Sequence, residues 1–142
     1  MKYVEVAAGI LWRDGRYLAV CRPQGRLHAG RWEFPGGKLE AGERPAGALH
    51  RELAEELGVH PRTAALWRTV EHIYADKDLH VRLHFFHVTD FAGEPAAREG
   101  QVLRWTTPRD ALALDFLEAD LPLVRDLAAQ PLPSTGLREQ EA

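Results

Sequence analysis

Val4, Val6, Ala8 and Ile10 alternate with Glu5, Ala7 and Gly9, the two-residue period of a strand with two different faces. Asp14-Gly15 separates that run from Tyr17-Leu-Ala-Val-Cys21, so the opening segment predicts a β-hairpin. Pro23, Gly25, Gly30, Pro35, Gly36 and Gly37 then predict a long loop, broken by a short strand around Trp32–Phe34. Pro45 suits a first helical turn, and Ala46–Leu57 is rich in Ala, Leu and Glu before Gly58 ends it. Ala65–Ile73 and Leu79–Val88 read as strands joined through Ala75-Asp-Lys-Asp78, and Arg104-Trp105 as a last short strand. Pro108 opens a short helical stretch near Asp110–Ala113, and Leu121–Leu127 forms a final helix. Strands with one strong helix and no regular βαβ alternation give an α/β class of the mixed α+β kind, a mixed β-sheet covered by helices.

A chain of 142 residues fits one domain. The expected division is a domain over 1–128 and a flexible tail over 129–142, where Pro131, Pro133, Ser134, Thr135 and Gly136 accumulate. Hydrophobic residues at 45% and charged residues at 27% are ordinary for a globular protein with a real core. A net charge of −3 supplies no basic field, which argues against a nucleic-acid polymer as partner. The single cysteine, Cys21, excludes an intramolecular disulfide and a multi-cysteine zinc site, and suits a reducing cytosol. There is no signal-peptide pattern at Met1-Lys2-Tyr3 and no apolar run of the roughly 20 residues a membrane span needs. These features predict a cytoplasmic protein with no membrane partner, either monomer or homodimer.

The helix carries the chemistry. With Glu52 as origin and about 100° per residue, Glu55 falls near −60° and Glu56 near +40°, so three carboxylates share one stripe. On the same wheel Ala46, Leu49, Leu53 and Leu57 fall between roughly 60° and 140°, an apolar stripe beside the acidic one. Like charges on adjacent turns cost a few tenths of a kcal/mol per pair unless neutralised. A divalent cation neutralises them, and oxygen ligands of this density suit Mg²⁺ or Mn²⁺, with water and substrate phosphates filling the other positions. The ordinary reading of clustered Glu on a helix is a solvated acidic face. The surrounding pattern reverses that preference.

From Gly37 through Glu43, Arg51-Glu52-Leu53, Glu55-Glu56 and Gly58-Val59 the chain reads G-x5-E-x7-R-E-L-x-E-E-x-G-V. This matches the Nudix box at every specified position, and the chain resembles a Nudix hydrolase. Trp32-Glu-Phe-Pro-Gly-Gly-Lys38, the Gly93-Glu-Pro95 turn, Glu99-Gly-Gln101 and Arg104-Trp105 are similar to the MutT branch, which sanitises oxidised guanine nucleotides. The resemblance implies a Nudix α/β/α sandwich, a requirement for Mg²⁺ that Mn²⁺ can replace, and attack by water that releases a nucleoside monophosphate and pyrophosphate. It implies that Glu52, Glu55, Glu56, Glu99 and the Gly36 carbonyl hold metal, with Glu43 and Arg51 orienting the shell. Glu52, Glu56 and Glu99 all remain open as general base, because that assignment depends on which oxygen lies within about 3 Å of the water. Arg22 and Lys38 fall where MutT-like enzymes contact phosphate, and the paired glycines permit close backbone approach.

The resemblance places Phe34, Tyr74, Lys77, Ala119 and Asp120 around the base of a small-molecule nucleotide. Here the chain departs from the bacterial guanine-sanitising enzymes it resembles, in which an Asn stands where this chain has Asp120. An amide donates and accepts, whereas an ionised Asp only accepts. A buried, protonated Asp120 would imitate the amide and favour 8-oxo-dGTP or a related oxidised purine nucleotide. An ionised one favours an amino-bearing edge, and Ala119-Asp-Leu-Pro122 also resembles pyrimidine-selective relatives acting on CTP, dCTP or modified cytosine nucleotides. A non-catalytic Nudix-fold binding module is the alternative from another class, set against a complete carboxylate set. His80, Arg82 and His84 fall on one strand face and His87 on the other, so these histidines cannot all converge on zinc. Trp32, Trp67 and Trp105 read as core rather than as stacking platforms.

Overall fold

The computed structural model describes residues 1–130. Of the tail expected over 129–142, Ala129 is the last residue of the final helix, and the part from Pro131 onward lies outside the described residues. Among the described residues seven strands form one mixed sheet: β1 (Lys2–Arg13), β2 (Arg16–Cys21), β3 (Trp32–Glu33), β4 (Gly36–Lys38), β5 (His60–Tyr74), β6 (Leu79–Ala92) and β7 (Val102–Thr106). The main path runs β3-β2-β1-β6-β5, with β4 on β1 and β7 on β2. Only β1 and β6 run parallel, over Lys2↔Leu79 to Leu11↔Val88, and the other pairs are antiparallel. Among the described residues no helix is long and apolar enough to cross a membrane.

The period of two in β1 sorts its side chains between two cores. Ala8, Ile10 and Trp12 join Tyr17, Phe34, Phe85, Phe116 and the helix α2 (Leu121–Ala129) through Leu123, Val124 and Leu127. Ala7 and Leu11 join Leu18, Phe86, Val88 and the helix α1 (Pro45–Leu57) on the opposite face. A helix on each face of a mixed sheet is the α/β/α sandwich expected from the sequence. Leu49, Leu53 and Leu57 are fully buried, which stabilises the docking of α1 by roughly 1.5–3 kcal/mol per side chain. Trp32, Trp67 and Trp105 pack against these cores, as their apolar area predicted.

Several local expectations need correction. The β1–β2 hairpin is only a corner: the strands pair at Trp12↔Tyr17 and Arg13↔Arg16, and the rest of β1 pairs with β6 and β4 instead. Burial on both faces favours that central position for an apolar strand. The short strand β3 spans Trp32–Glu33, without Phe34, and the glycine-rich stretch after it forms β4, which the sequence marked as loop. β5 and β6 extend beyond 65–73 and 79–88, because pairing partners carry Pro61 and neighbouring polar residues into a ladder with irregular register. Ala46 is exposed in the first turn of α1, whereas Ala48 is fully buried. The buried face of α1 is thus wider than the leucine stripe and reaches toward the acids.

Candidate active site

α1 begins at Pro45 without a side-chain cap and ends at Gly58, whose φ of 71° lets its N–H return to the carbonyls of Leu53 and Ala54. Arg51 organises the acids on its exposed side. Its Nε and Nη2 donate to the Glu43 carboxylate at 2.7 and 2.9 Å, Nη1 donates to Glu52 at 2.9 Å and Glu55 at 3.2 Å, and Nη2 also reaches the Lys38 carbonyl at 2.9 Å. The Glu40 N–H adds a bond to Glu43. The Arg51 guanidinium, followed by that N–H, holds the Glu43 carboxyl down to about 2. One arginine therefore locks the 40–44 loop, the strand β4 and the helix together, as a planar fork with several donors can.

Close backbone approach explains the paired glycines. A Cβ on Gly36 would sit 2.0 Å from the Ala7 carbonyl oxygen, and one on Gly37 would sit 2.3 Å from the Glu52 carboxylate. Any side chain at either position would push β4 off the sheet or Glu52 off the loop. On the far side of the stripe Glu56 is turned inward. Burial, then the charges of Glu33, Glu99 and Glu52, push its carboxyl up to about 8, against one lowering contact from the Gly36 backbone.

A cavity of about 640 Å³ opens beside these groups. Its lining includes Arg22, Glu33, Gly36, Gly37, Lys38, Glu56, Glu99 and Gln101, and also Phe34, Tyr74, Lys77, Ala119 and Asp120. Arg22 donates to Glu33 at 3.2 Å and to the Leu27 carbonyl at 3.3 Å, while its buried Nε has no partner among the described residues. Lys77 lies 3.4 Å from His28 and 5.9 Å above the Tyr74 ring. Asp120 is 5% exposed. Burial first, then Glu33, push its carboxyl up to about 8 against a hydrogen bond from the Phe34 N–H, so it is mostly neutral at pH 7.

The match to a family model, described as the NUDIX domain, spans residues 2–127. The chain belongs to the Nudix family. This Nudix chain is 40% identical over 129 residues to the CTP pyrophosphohydrolase of Escherichia coli K12, covering 91% of the chain and 94% of that protein. It is 36% identical to the 8-oxo-dGTP diphosphatase of the same organism, covering 89% and 98%. A solved MutT structure from a comparison of the Aliivibrio salmonicida and Vibrio cholerae enzymes superposes with a TM-score of 0.80 at 33% identity, covering 92% of this chain and 100% of that one.

Of the residues singled out in the Nudix sequence, all those expected at phosphate and base line one cavity, together with Gly36, Glu56 and Glu99. Glu52 lies against Gly37 at its margin. Glu55 lies outside the lining set, its side chain 57% exposed and bound to Arg51. Among the described residues no three His, Cys, Asp or Glu side chains converge closely enough to enclose an ion. Like charges without a cation repel, and part of the acidic charge is turned to Arg51. The residues nonetheless fit a divalent cation: Glu56 is a half-buried carboxyl pressed by three others, and a cation is the group that would relieve it. The histidines separate as strand alternation predicted, His84 binding Glu5 and His80 binding Glu71 on one face, while His87 accepts from Trp12 Nε1 on the other. Sequence reasoning missed Glu33, which lines the cavity and raises both Glu56 and Asp120. An acid flanked by Trp32 and Phe34 in a strand was the available signal. It also missed the side chain of Gln101, buried where the loop after β6 meets α1.

Proposed function

We propose that the chain hydrolyses a nucleoside triphosphate to a nucleoside monophosphate and pyrophosphate with Mg²⁺, or Mn²⁺ in its place, and that 8-oxo-dGTP or a related oxidised purine nucleotide is the substrate. Its similarity to proteins named diphosphatase and pyrophosphohydrolase supports the reaction. Nudix hydrolases use a divalent cation, and the carboxyl cluster suits one. In this reading Glu52, Glu55, Glu56, Glu99 and the Gly36 carbonyl hold metal, and the bound cation screens the phosphates and lowers the pKa of the attacking water. Arg51 and Glu43 keep the helix and the loop in register. Arg22 and Lys38 bind the phosphate chain, with the spare Arg22 Nε as a donor toward it. Glu52, Glu56 or Glu99 takes the proton from water, which adds to phosphorus as the phosphoanhydride bond breaks and pyrophosphate leaves.

The observation that carries the substrate is the neutral, enclosed carboxyl of Asp120 beside Phe34. A neutral carboxyl offers one donor and one acceptor. The edge of an 8-oxoguanine offers the complement, O6 as acceptor and N7–H as donor, whereas guanine presents two acceptors there. The second reading, a CTP, dCTP or modified-cytosine diphosphatase, is favoured by the 40% identity to the CTP pyrophosphohydrolase, and cytosine N3 and N4–H would also complement the same carboxyl. Steady-state rates with 8-oxo-dGTP, dGTP, dCTP and 5-methyl-dCTP at fixed Mg²⁺ decide between them. A preference for dCTP over 8-oxo-dGTP overturns the purine reading and leaves the reaction intact. No hydrolysis of any of the four, with metal present, would instead favour a non-catalytic binding module.

A further inference from the structure

The C-terminal turn of any helix leaves carbonyls without intrahelical partners. In this protein the loop 93–101 supplies them. Ala96 N–H donates to the Leu57 carbonyl at 3.0 Å, Arg98 N–H to Glu56 at 3.2 Å and Arg98 Nη1 to Ala54 at 3.2 Å. Gln101 Nε2 donates to the same Glu56 carbonyl at 3.4 Å, and Gln101 Oε1 accepts from the Glu99 N–H at 2.8 Å. The loop and the helix end are in close contact: a Cβ on Gly93 would lie 2.5 Å from the Gly58 carbonyl oxygen, and one on Gly58 would lie 2.6 Å from the Arg98 guanidinium. Between Glu99 and Gln101, Gly100 takes a φ of +76°, which turns the chain so that the Gln101 side chain can fold back.

We propose that Gln101 is a positioning residue: its buried side-chain amide joins the backbone of Glu99 to the backbone of Glu56 and thereby fixes the Glu99 carboxylate relative to the helix acids. The inference rests on the reading of Glu56 and Glu99 as cation ligands. An amide suits the task because it carries one acceptor and two donors on a rigid plane. A carboxylate at 101 would keep the acceptor for Glu99 and lose the donor to Glu56, and an aliphatic side chain would lose both. Gln101 lines the cavity yet is only 8% exposed as a residue, which limits the water that can compete for these bonds. Arg98 reinforces the same junction from the solvent side, where its charge also complements the negative end of the helix.

The test is Mn²⁺ binding to the full-length, nucleotide-free protein, read from the free-ion signal by electron paramagnetic resonance. Gln101→Met, which preserves length and apolar volume, Glu99→Gln and the double variant are compared, with melting curves for each. Gln101→Met is expected to weaken Mn²⁺ about tenfold and to raise the Mg²⁺ concentration for half-maximal rate in parallel, with the KM for nucleotide unchanged. The double variant is expected to bind no more weakly than Glu99→Gln alone, since the strut acts through Glu99. A folded Gln101→Met with wild-type Mn²⁺ affinity, or a double variant in which the two losses multiply, overturns the proposal while leaving Glu99 as a ligand. Wild-type Mn²⁺ binding by Glu99→Gln instead overturns the ligand reading itself. If Gln101→Met does not fold, Arg98→Leu on the exposed side decides: a smaller loss of Mn²⁺ affinity, absent in the Glu99→Gln background, supports the junction, and no loss overturns it.

Discussion

Glu43, bound to Arg51 of the acidic helix, and Asp120, in the lining of the cavity, are carboxyl groups whose surroundings treat them oppositely. Glu43 takes two bonds from Arg51 and one from a backbone N–H, and is held down to about 2. Asp120 is enclosed, receives the Phe34 N–H and is pushed up to about 8. Glu56 is likewise raised, by burial and three neighbouring acids, and Glu33, which is tied to Arg22, acts on both Glu56 and Asp120. Around the helix acids negative charge is gathered and must be answered by cations. Around Asp120 the enclosure keeps the acid neutral, a hydrogen-bonding shape. Under the proposed function the first is the phosphate end of the cavity and the second its base end.

Substitutions at the two ends should separate cleanly. The largest effect is expected for Glu56→Gln, which removes a ligand or the base: pyrophosphate release should fall on the order of 10²–10⁴-fold for every nucleotide alike. Unchanged Mg²⁺-dependent release by that variant would refute the metal-site assignment. Arg51→Lys should cost about 10–100-fold, because an ammonium cannot replace the fork that joins Glu43, Glu52, Glu55 and the Lys38 carbonyl. Its signature is a raised Mg²⁺ requirement, measured by metal titration of the rate, and a rise of the Glu43 pKa toward the ordinary carboxylate range, seen by NMR.

At the other end Asp120→Asn should leave the Mg²⁺ dependence alone and change the ranking of bases, by about 1–3 kcal/mol of discrimination. A ranking that does not move removes Asp120 as the discriminator. The same variant tests the protonation state through stability. Between pH 4 and 8 the unfolded chain has ionised Asp120 while the folded one retains the proton, so this group's contribution is full at low pH and is lost as pH rises through about 8. Thermal or urea unfolding across that window should show a downward slope with pH that flattens in Asp120→Asn. The smallest effect is expected for Tyr17→Phe. The Tyr17 hydroxyl is buried with no partner among the described residues, so its removal should be neutral or stabilising by up to about 1 kcal/mol in urea unfolding.

The two ends also differed in how readily they could be read. The helix acids stand within a few residues of one another, so a wheel and a spacing rule located them, and the wheel correctly set Leu49, Leu53 and Leu57 beside them. It erred at Ala46 and Ala48, since which residues of a first turn are covered depends on where the sheet ends. The base end draws on Phe34, Tyr74 and Asp120, which are brought together by strand pairing and by α2 packing. Family resemblance named those positions, but periodicity could not. β4 was hidden for a related reason: glycines carry no strand pattern, and Gly36 and Gly37 become a strand only because β1 lies beside them.

Local order in the chain determined what needs only neighbours along it: the amphipathic helix, its carboxylate stripe, the turn glycines and the fold class that follows from the order of elements. Tertiary structure decided what depends on distance through space. It placed Glu33 between two acids, seated Gln101 against the end of α1, turned Glu56 inward and kept the proton on Asp120. The physical reason is that a charge state and a hydrogen-bond partner are properties of an enclosure, and the enclosure is built from segments remote in sequence.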